Sequence, residues 1–319
     1  MLIAECCQNH LGDPEILKKM VAEGAKNGAT HLKIQGLYHD ELNFREQFEE
    51  QRSAEHQASI IRPFAAEVSR LKPLSLSLET EIEFVRECKS LGVTPMITVF
   101  THSGLNRAVT AGFRSFKIAS YDCASLALIS RILPVCDELV ISTGATSWDE
   151  IAKTANFVAE NKLDKTRIVF LHAVTEYPTD ITSVRLLRMT ALKQFGFEVG
   201  YSDHTAPGST DLKAAALAIK LGAKAIERHF TVLGVDATKD GPVSVNPNQL
   251  SIIARMFSSL EILDENMPDA QLCKLMMAPL LSLDPSDLEI KNREYYRGRV
   301  VSTINGVKIN SWEDWPLEA

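Results

Sequence analysis

Eight short apolar runs alternate with longer stretches of mixed polar and apolar residues along most of the chain. Each run is nearly continuous in apolar residues rather than alternating, which is typical of strands buried on both faces of a sheet. The predicted strands are Leu2–Cys7, Thr30–Gln35, Thr94–Phe100, Phe116–Ser120, Leu139–Thr143, Arg167–Val174, Glu198–Ser202 and Ala223–Phe230.

The stretches between these runs predict amphipathic helices with recognisable ends. Pro14–Asn27 follows Asp13, which suits the N-cap position, and has Pro at its first helical position. Ser147–Glu160 begins Ser-Trp-Asp-Glu, which matches a capping box. The other predicted helices are Gln57–Leu71, Thr80–Leu91, Pro207–Leu221 and Pro247–Leu263, and Gly92 and Gly222 follow two of them.

Eight strand-then-helix units predict an α/β fold, a closed parallel (β/α)₈ barrel (TIM barrel) over residues 1–263. An open doubly wound sheet would need a glycine-rich first turn, and residues 8–13 do not match G-x-G-x-x-G. A polar insertion at Tyr38–Glu55 is expected to shape the mouth of the barrel. Residues 264–319 are predicted to form a short C-terminal extension, in which Asn305-Gly306 between apolar runs indicates a hairpin.

Composition narrows the possible partners and the compartment. The 319-residue chain carries a net charge of −7, which argues against sequence-independent nucleic-acid binding. Its six cysteines show no C-x-x-C spacing, so we expect reduced, buried thiols rather than disulfides or a zinc cluster. We find neither a signal peptide nor an apolar run long enough to span a membrane, so a cytoplasmic location is expected.

Candidate chemistry gathers at the carboxyl ends of the predicted strands, where barrel enzymes place their active sites. Lys33 and Lys117 lie on buried strands, which is costly unless each meets an anion or forms an ion pair inside the barrel. Hydroxyl groups at these ends suit phosphate, although each could equally cap its own strand. They belong to Thr101, Ser120, Ser142 and Ser202.

Two histidines end neighbouring strands. His204 and His229 could bind a divalent metal above the barrel and leave coordination positions open for substrate oxygens. Hydrogen-bonded histidines without a metal are the alternative. Glu5 could position water or move a proton, with a salt bridge to Lys33 as the alternative.

Seven segments, in this order, resemble the sialic acid synthase family, the phosphoenolpyruvate-dependent N-acetylneuraminate synthases and their relatives. They are Ile3-Ala4-Glu5 with Asn9-His10-Leu11-Gly12-Asp13, Leu32-Lys33-Ile34-Gln35, Phe116-Lys117-Ile118-Ala119-Ser120, Ile141-Ser142-Thr143-Gly144, Glu176-Tyr177-Pro178-Thr179, Gly200-Tyr201-Ser202-Asp203-His204-Thr205 and Ile226-Glu227-Arg228-His229-Phe230-Thr231. The resemblance covers residues 2 to about 262.

The resemblance implies a carbon–carbon condensation of phosphoenolpyruvate with an N-acetylmannosamine-like or other sugar aldehyde, giving a 2-keto-3-deoxy acid and phosphate. It implies that His204 and His229 bind the metal, with Mn²⁺ expected and Mg²⁺, Co²⁺ or Zn²⁺ as alternatives, and that the protein is a homodimer. The implied phosphoenolpyruvate ligands are Lys33, Thr101, Lys117, Ser120, Ser142 and Ser202. The residues implied near the acceptor or the reacting carbons are Glu5, Gln35, Tyr177 and Asp240, and the catalytic set is Glu5, Asp122 and His229.

Three departures from the family pattern bear on the acceptor sugar. Tyr121-Asp122 replaces the usual Gly-Glu, so the carboxylate is one methylene shorter. Lys239 precedes Asp240 where the family has Gly-Pro, which suggests an acceptor with a negative group. The C-terminal antifreeze-protein-like domain, which lends an Arg to the partner's acceptor site, is expected to be absent. Arg297 or Arg299 could replace that Arg, although a solvated tail is the favoured interpretation.

The sequence is also compatible with two other functions. A metal-dependent aldolase or lyase on the same barrel would use pyruvate and release no phosphate. A barrel without turnover could bind sugar phosphates, although the intact set Glu5, Lys33, Lys117, His204 and His229 argues against it.

Overall fold

The computed structural model describes residues 1–50, 60–210, 212–277, 283–304 and 307–310. Eight parallel strands, β1 to β8, close into a barrel in chain order. The strands are β1 Leu2–Cys7, β2 His31–Gln35, β3 Thr94–Val99, β4 Ser115–Ile118, β5 Glu138–Ser142, β6 Arg167–Ala173, β7 Glu198–Asp203 and β8 Ala225–His229. The predicted (β/α)₈ barrel is confirmed, and every predicted strand ends within two residues of the observed one.

Helices cover the outside of the barrel and its C-terminal side. They are α1 Pro14–Lys26, α2 Phe64–Leu71, α3 Leu78–Ser90, α4 His102–Ala111, α5 Leu126–Ile132, α6 Trp148–Asn161, α7 Leu187–Leu192, α8 Pro207–Thr210, α9 Lys213–Lys220, α10 Pro247–Met256, α11 Leu260–Glu265, α12 Ala270–Met276 and α13 Asp287–Tyr296. Asp13 caps α1, and Ser147 with Glu150 forms the predicted capping box of α6.

Three predicted helices differ from the structure. The predicted Pro207–Leu221 is two helices, α8 and α9, with Leu212 at a positive φ of 62° before α9. The predicted Gln57–Leu71 is wrong at its start, because residues 60–63 are not helical and Pro63 is the N-cap of α2. A residue before proline is disfavoured in the α conformation, so the helix begins after Pro63. The predicted Pro247–Leu263 is two helices, since the chain turns at Phe257 and restarts at Ser259, which caps α11.

The inside of the barrel changes from apolar to polar along the strands. A floor of six buried apolar side chains closes the amino-terminal end. It consists of Ile3, Met96, Val140, Val169, Leu171 and Ala225. Side chains alternate between the two faces of a strand, so the next inward position lies two residues further along. At that level the strands carry Glu5, Lys33, Thr98, Lys117 and Glu227, all buried. The floor thus supports a charged layer that faces the carboxyl end.

The C-terminal extension packs against the barrel mouth. Glu289 of α13 is buried and accepts hydrogen bonds from the backbone amides of Ala145 and Thr175, both at 3.1 Å. Beyond α13, strand β9 Ser302–Ile304 pairs antiparallel with β10 Val307–Ile309. The Asn305-Gly306 turn of the predicted hairpin lies outside the described residues. The division into a catalytic domain over 1–263 and an extension over 264–319 stays a prediction.

The cysteines and the helices bear on two expectations from composition. All six cysteines are free thiols, and each except the half-buried Cys273 is buried. In the described part of the chain, no helix has the length and apolar character needed to cross a bilayer.

Candidate active site

A cavity of about 390 Å³ opens at the carboxyl ends of the strands. Nearly all of the predicted site residues contribute to its wall, although they come from seven different strands or the loops that follow them. Those on the wall are Glu5, Lys33, Gln35, Lys117, Ser120, Ser142, Tyr177, Ser202, His204, His229 and Asp240. The structure therefore brings together residues that are up to 235 positions apart in the sequence.

Two predicted residues do not reach this wall. The Oγ1 of Thr101 caps α4 by accepting from the amide of Gly104 at 2.9 Å, and it donates to Glu41 at 2.7 Å. Asp122 is buried in the turn after β4, while its neighbour Tyr121 lines the cavity. Strand β3 contributes Thr98 instead, because Thr98 points inward on the strand and Thr101 lies beyond its end.

A charged layer forms the bottom of the cavity. Lys33 forms a salt bridge with Glu5, donates to Thr98 Oγ1 at 2.9 Å, and lies 3.5 Å from a Glu227 oxygen. Lys117 Nζ donates to both Glu227 oxygens, at 2.6 and 2.8 Å. The ion-pair alternatives for both lysines, and the salt-bridge alternative for Glu5, are thus observed. Because both ammonium groups contact one carboxylate, they are also close enough to approach one bound anion.

Glu227 is a site residue that the sequence predictions left out. It is two residues before His229 on β8, so strand alternation places both side chains inside the barrel. Burial raises the pKa of Glu227, but the charges of Lys117 and Lys33 outweigh burial and hold that pKa below its ordinary value. Glu227 is therefore an anion that organises the two lysines.

The two lysines differ in how firmly they hold their protons. Burial lowers the pKa of Lys117 to about 8, more than the Glu227 carboxylate raises it. Burial also acts on Lys33, yet the carboxylates of Glu227 and Glu5 together hold its pKa above the ordinary value. Both are cations at neutral pH, and Lys117 is the one that titrates first as pH rises.

The two histidines lie side by side at the mouth. Their ring centroids are 5.5 Å apart and the rings are nearly perpendicular. Both nitrogens of His204 have polar neighbours, with Nδ1 2.8 Å from the Val174 carbonyl oxygen and Nε2 3.3 Å from Ser202 Oγ. In the described part of the chain, the buried Nδ1 of His229 has no hydrogen-bond partner. His204 Nδ1 donates to that carbonyl, and the Ser202 hydroxyl donates to Glu227, so the lone pair of His204 Nε2 and the Nδ1 of His229 are both available for a ligand.

Two further side chains lie close to His229, Cys7 at the end of β1 and Asp240 in the loop after β8. Ligand atoms of Cys7, His229 and Asp240 all lie within 4.8 Å of one another, and Cys7 Sγ is 3.0 Å from Asp240 Oδ2. Cys7 has a positive φ of 46°, which is uncommon for a residue with a side chain and often marks a functional position. The expectation of buried, reduced thiols holds for Cys7 but did not single it out as a site residue. Its position two residues after Glu5, on the same face of β1, could have indicated that it faces the cavity.

Two residues of the predicted motifs face away from the cavity. Asp203 and Arg228 form an ion pair at 2.8 Å on the outer side of β7 and β8, and both side chains are fully buried. Asp203 Oδ1 accepts from the amide of Thr205 at 3.0 Å, and Arg228 donates to the Thr205 carbonyl at 3.0 Å. The pair fastens the chain directly after β7, where His204 is located, to the strand that carries His229.

Comparisons with known proteins agree with this architecture. The model of the NeuB family matches residues 20–267. An N,N'-diacetyllegionaminic acid synthase from Campylobacter jejuni is 27% identical, over 82% of this chain and 76% of the relative. An N-acetylneuraminate-9-phosphate synthase from Drosophila melanogaster is 24% identical, over 86% and 71% respectively. The structure of a sialic acid synthetase from Leptospira borgpetersenii superposes with a TM-score of 0.68 at 24% identity, over 92% of this chain and 90% of the other, and supports the barrel fold.

Proposed function

The chain belongs to the NeuB family of phosphoenolpyruvate-condensing synthases, and we propose that it joins phosphoenolpyruvate to an aldose, giving a 2-keto-3-deoxy acid and inorganic phosphate. The observation that carries the proposal is the cavity in which Lys33 and Lys117 share Glu227 beneath the Cys7, His229 and Asp240 cluster. This arrangement supports the proposal because two cations suited to a phosphorylated enol lie next to a cluster that could hold an aldehyde-activating metal.

We assign the phosphoenolpyruvate position from charge and from hydroxyl groups. Lys33 and Lys117 would contact the phosphate and carboxylate, and counter their charge. Ser120, Ser142 and Ser202 line the same cavity and supply hydroxyl donors. Ser202 Oγ already donates to Glu227 at 2.9 Å, so its orientation is set before substrate binds.

The bond changes follow from the products. C3 of phosphoenolpyruvate forms a bond to the aldehyde carbon, whose oxygen takes up a proton and becomes a hydroxyl, and positive charge develops at C2. Water adds to C2 and loses one proton. The C2–O bond to phosphate then breaks, phosphate leaves, and the new C2 hydroxyl loses its proton to become the ketone. Glu5, buried at the cavity bottom beside Lys33, is our candidate for holding the water or taking its proton.

The donor atoms at the mouth fit a divalent metal. A ring nitrogen of His229, the Cys7 sulfur and an Asp240 carboxylate oxygen form a mixed nitrogen, sulfur and oxygen set. In the described part of the chain, the buried Nδ1 of His229 also has no hydrogen-bond partner. We propose that this set holds the ion and that His204, whose Nδ1 donates to the Val174 carbonyl, offers its Nε2 beside it. When bound, the metal would supply Lewis-acid polarisation of the aldehyde oxygen. A thiolate donor favours Co²⁺ or Zn²⁺ over the expected Mn²⁺.

Replacing Cys7 by serine is expected to change the metal site itself. We expect the Co²⁺-loaded protein to show a thiolate-to-cobalt charge-transfer absorption in the near ultraviolet, and the Cys7→Ser variant to lack it. Metal affinity should fall by at least about 10-fold, because a soft ligand is lost. Cys273→Ser, which is outside the cavity, should keep both properties. A charge-transfer band that survives in Cys7→Ser would exclude Cys7 as a ligand.

Affinity for phosphoenolpyruvate is expected to depend on the proton of Lys117. The bound anion favours the ammonium form, so affinity should weaken roughly 10-fold per pH unit once pH passes the Lys117 pKa of about 8. The phosphate group of phosphoenolpyruvate is fully ionised by then. The charged groups that face Lys117 are Glu227, Lys33 and Glu5. The pKa of Glu227 is lowered and that of Lys33 is raised, so neither titrates near pH 8.

Calorimetric titration with phosphoenolpyruvate across this pH range measures the effect. Lys117→Met, which has no proton to lose, should bind weakly and with little pH dependence. An affinity of the unmodified protein that stays flat between about pH 7 and pH 9.5 would remove Lys117 from the anion site.

The proposed reaction is tested by phosphate release. Phosphoenolpyruvate, a divalent metal and a panel of aldoses are combined with the protein, and inorganic phosphate and the keto acid are measured together. We expect equal amounts of both with at least one aldose and no phosphate without an aldose. The aldolase alternative predicts a keto acid from pyruvate and the same aldose, without phosphate.

A further inference from the structure

Three arginines line the more exposed part of the same cavity. Arg62 precedes α2, Arg70 lies on α2 in the long insertion after β2, and Arg299 follows α13 in the C-terminal extension. All three are half-buried, whereas the ammonium groups of Lys33 and Lys117 lie deep inside. We refer to Arg62, Arg70 and Arg299 as the arginine cluster.

The described residues around the arginine cluster carry less negative charge than the cluster carries positive charge. Among the described residues, Glu67 is the carboxylate that pairs with it. Glu67 accepts two hydrogen bonds from Arg70, from Nε and Nη2, both at 2.8 Å, while Arg62 stays 4.0 Å away. Within the described ranges, one carboxylate therefore faces three guanidinium groups. An excess of two positive charges in a half-buried wall is unfavourable unless an anion completes it.

Aromatic side chains hold two of these arginines, by ring stacking for Arg299 and by a ring contact together with a hydrogen bond to Tyr296 for Arg62. The guanidinium of Arg299 lies 4.8 Å from the centroid of the Tyr296 ring and 5.5 Å from that of Phe100. Arg62 lies 5.5 Å from the same Tyr296 ring. Stacking on a ring leaves the N–H edge of a guanidinium free for a phosphate or carboxylate. In the described part of the chain, the side chain of Arg299 makes no hydrogen bond or ion pair.

The backbone around Arg299 is fastened on both sides. The amide of Asn43 donates to the Arg299 carbonyl at 2.9 Å, and the amide of Val301 donates to the Glu41 carbonyl at 2.8 Å. Arg297 pairs with Glu150 at 2.7 Å. The interpretation of Arg297 and Arg299 as a solvated tail is therefore wrong, and the packing places Arg299 on the cavity wall.

We propose that the arginine cluster binds a phosphate or carboxylate group carried by the acceptor aldose, an inference that rests on the proposed condensation. The hydroxyls of Ser120, Ser142 and Ser202 belong to β4, β5 and β7 or their ends, and we assigned them to phosphoenolpyruvate. The cluster adjoins β1, where Arg70 donates to Gln8, and β3, where Arg299 contacts Phe100. The ammonium groups of Lys33 and Lys117, which we also assigned to phosphoenolpyruvate, lie at the buried bottom of the cavity, whereas the arginine cluster lines its more exposed part. We therefore assign the cluster to the substrate that binds above phosphoenolpyruvate, which is the aldose.

The test uses a panel of aldohexoses, N-acetylmannosamine among them, each paired with the phosphate ester of its primary hydroxyl. For each pair we measure kcat/KM from phosphoenolpyruvate consumption and the affinity of the sugar by calorimetry. The unmodified protein should prefer the ester, and Arg299→Gln and Arg62→Gln should each lower the ester-to-sugar kcat/KM ratio by about 10- to 100-fold, the range for losing a charge-assisted hydrogen bond. Arg86→Gln, on the exposed outer face of α3, should leave the ratio unchanged.

The outcomes separate this inference from the proposed function. Turnover of neutral sugars without preference for any ester overturns the inference and leaves the condensation standing. Arg299→Gln could also lose as much affinity for phosphoenolpyruvate as for the ester. That result would assign the cluster to phosphoenolpyruvate and would also overturn the inference. If no sugar is turned over, the proposed function fails. The inference is then still supported if the unmodified protein binds an ester tightly and Arg299→Gln binds it weakly. It is refuted if the unmodified protein and Arg299→Gln bind the ester equally well.

Discussion

Replacing His229 by alanine is expected to lower kcat for phosphate release by at least about 10³-fold, because a metal's stabilisation of transition-state charge is worth several kcal/mol. His229 belongs both to the predicted pair with His204 and to the observed cluster with Cys7 and Asp240. Its loss therefore removes the metal under either ligand set. The barrel should stay folded, since the described residues make no hydrogen bond to the Nδ1 of the His229 ring.

The measurement combines steady-state phosphate release, elemental analysis and circular dichroism of purified His229→Ala. His39→Ala is the matched control, since His39 is a histidine outside the cavity, hydrogen-bonded to Ser75. We expect the control to retain its metal and its rate. A folded His229→Ala protein that keeps its metal and more than about half of the original rate would contradict a metal role for His229.

The largest expected effect on stability comes from the ion pair outside the barrel wall. Asp203→Ala is expected to lower the free energy of unfolding by about 3–5 kcal/mol, because it leaves the fully buried Arg228 without its partner. Arg228 would retain hydrogen bonds to Thr205, but not a compensating negative charge. Metal affinity should fall as well, since the pair connects the segment carrying His204 to the strand that carries His229.

A double-mutant cycle measured by urea unfolding separates the interaction energy of Asp203 with Arg228 from the contribution that each residue makes through its other contacts. Asp203→Leu combined with Arg228→Met removes both charges, so it should cost less than either single substitution. Asp264→Ala removes an exposed partner of Lys220 and should change stability by less than about 1 kcal/mol. Single substitutions at Asp203 that cost no more than this control would show that the buried pair does not stabilise the barrel.

The strands could be predicted closely because burial on both faces leaves a simple pattern. A run such as Leu139–Thr143 has few polar residues, and strand β5 occupies almost the same range. Short helices were harder to predict. The segments Leu126–Ile132 and Leu187–Leu192 span barely two turns, so no helical period could be established from them, and they were not predicted.

Much of the site could be predicted because side chains on a strand point into the barrel at every second residue. One residue known to point inward therefore identifies the others on the same strand. The same rule, applied from Glu5, His229 and Met96, would have added Cys7, Glu227 and Thr98. The partnership of Cys7 with Asp240 could not be inferred from spacing, since closure of the barrel brings residues 233 positions apart into contact.

The placement of Arg299 also depended on long-range contacts. Its segment is polar and carries no strong periodic pattern, which is equally typical of a solvated tail. It is anchored by the backbone hydrogen bonds of Arg299 and Val301 with the distant segment at residues 41–43, and by the burial of Glu289 against two loops of the barrel mouth. Such docking depends on the shape of the barrel mouth, which the local sequence does not contain.

The most direct test of the central claim follows the bridging oxygen of phosphoenolpyruvate. The substrate is labelled with heavy oxygen between C2 and phosphorus, and the released phosphate is analysed by mass spectrometry after turnover with an aldose. If the cavity joins the enol to the aldehyde and expels phosphate from C2, the label leaves with inorganic phosphate, in amounts equal to the new keto acid. Phosphate without the label, or phosphate released equally well without an aldose, would contradict the account.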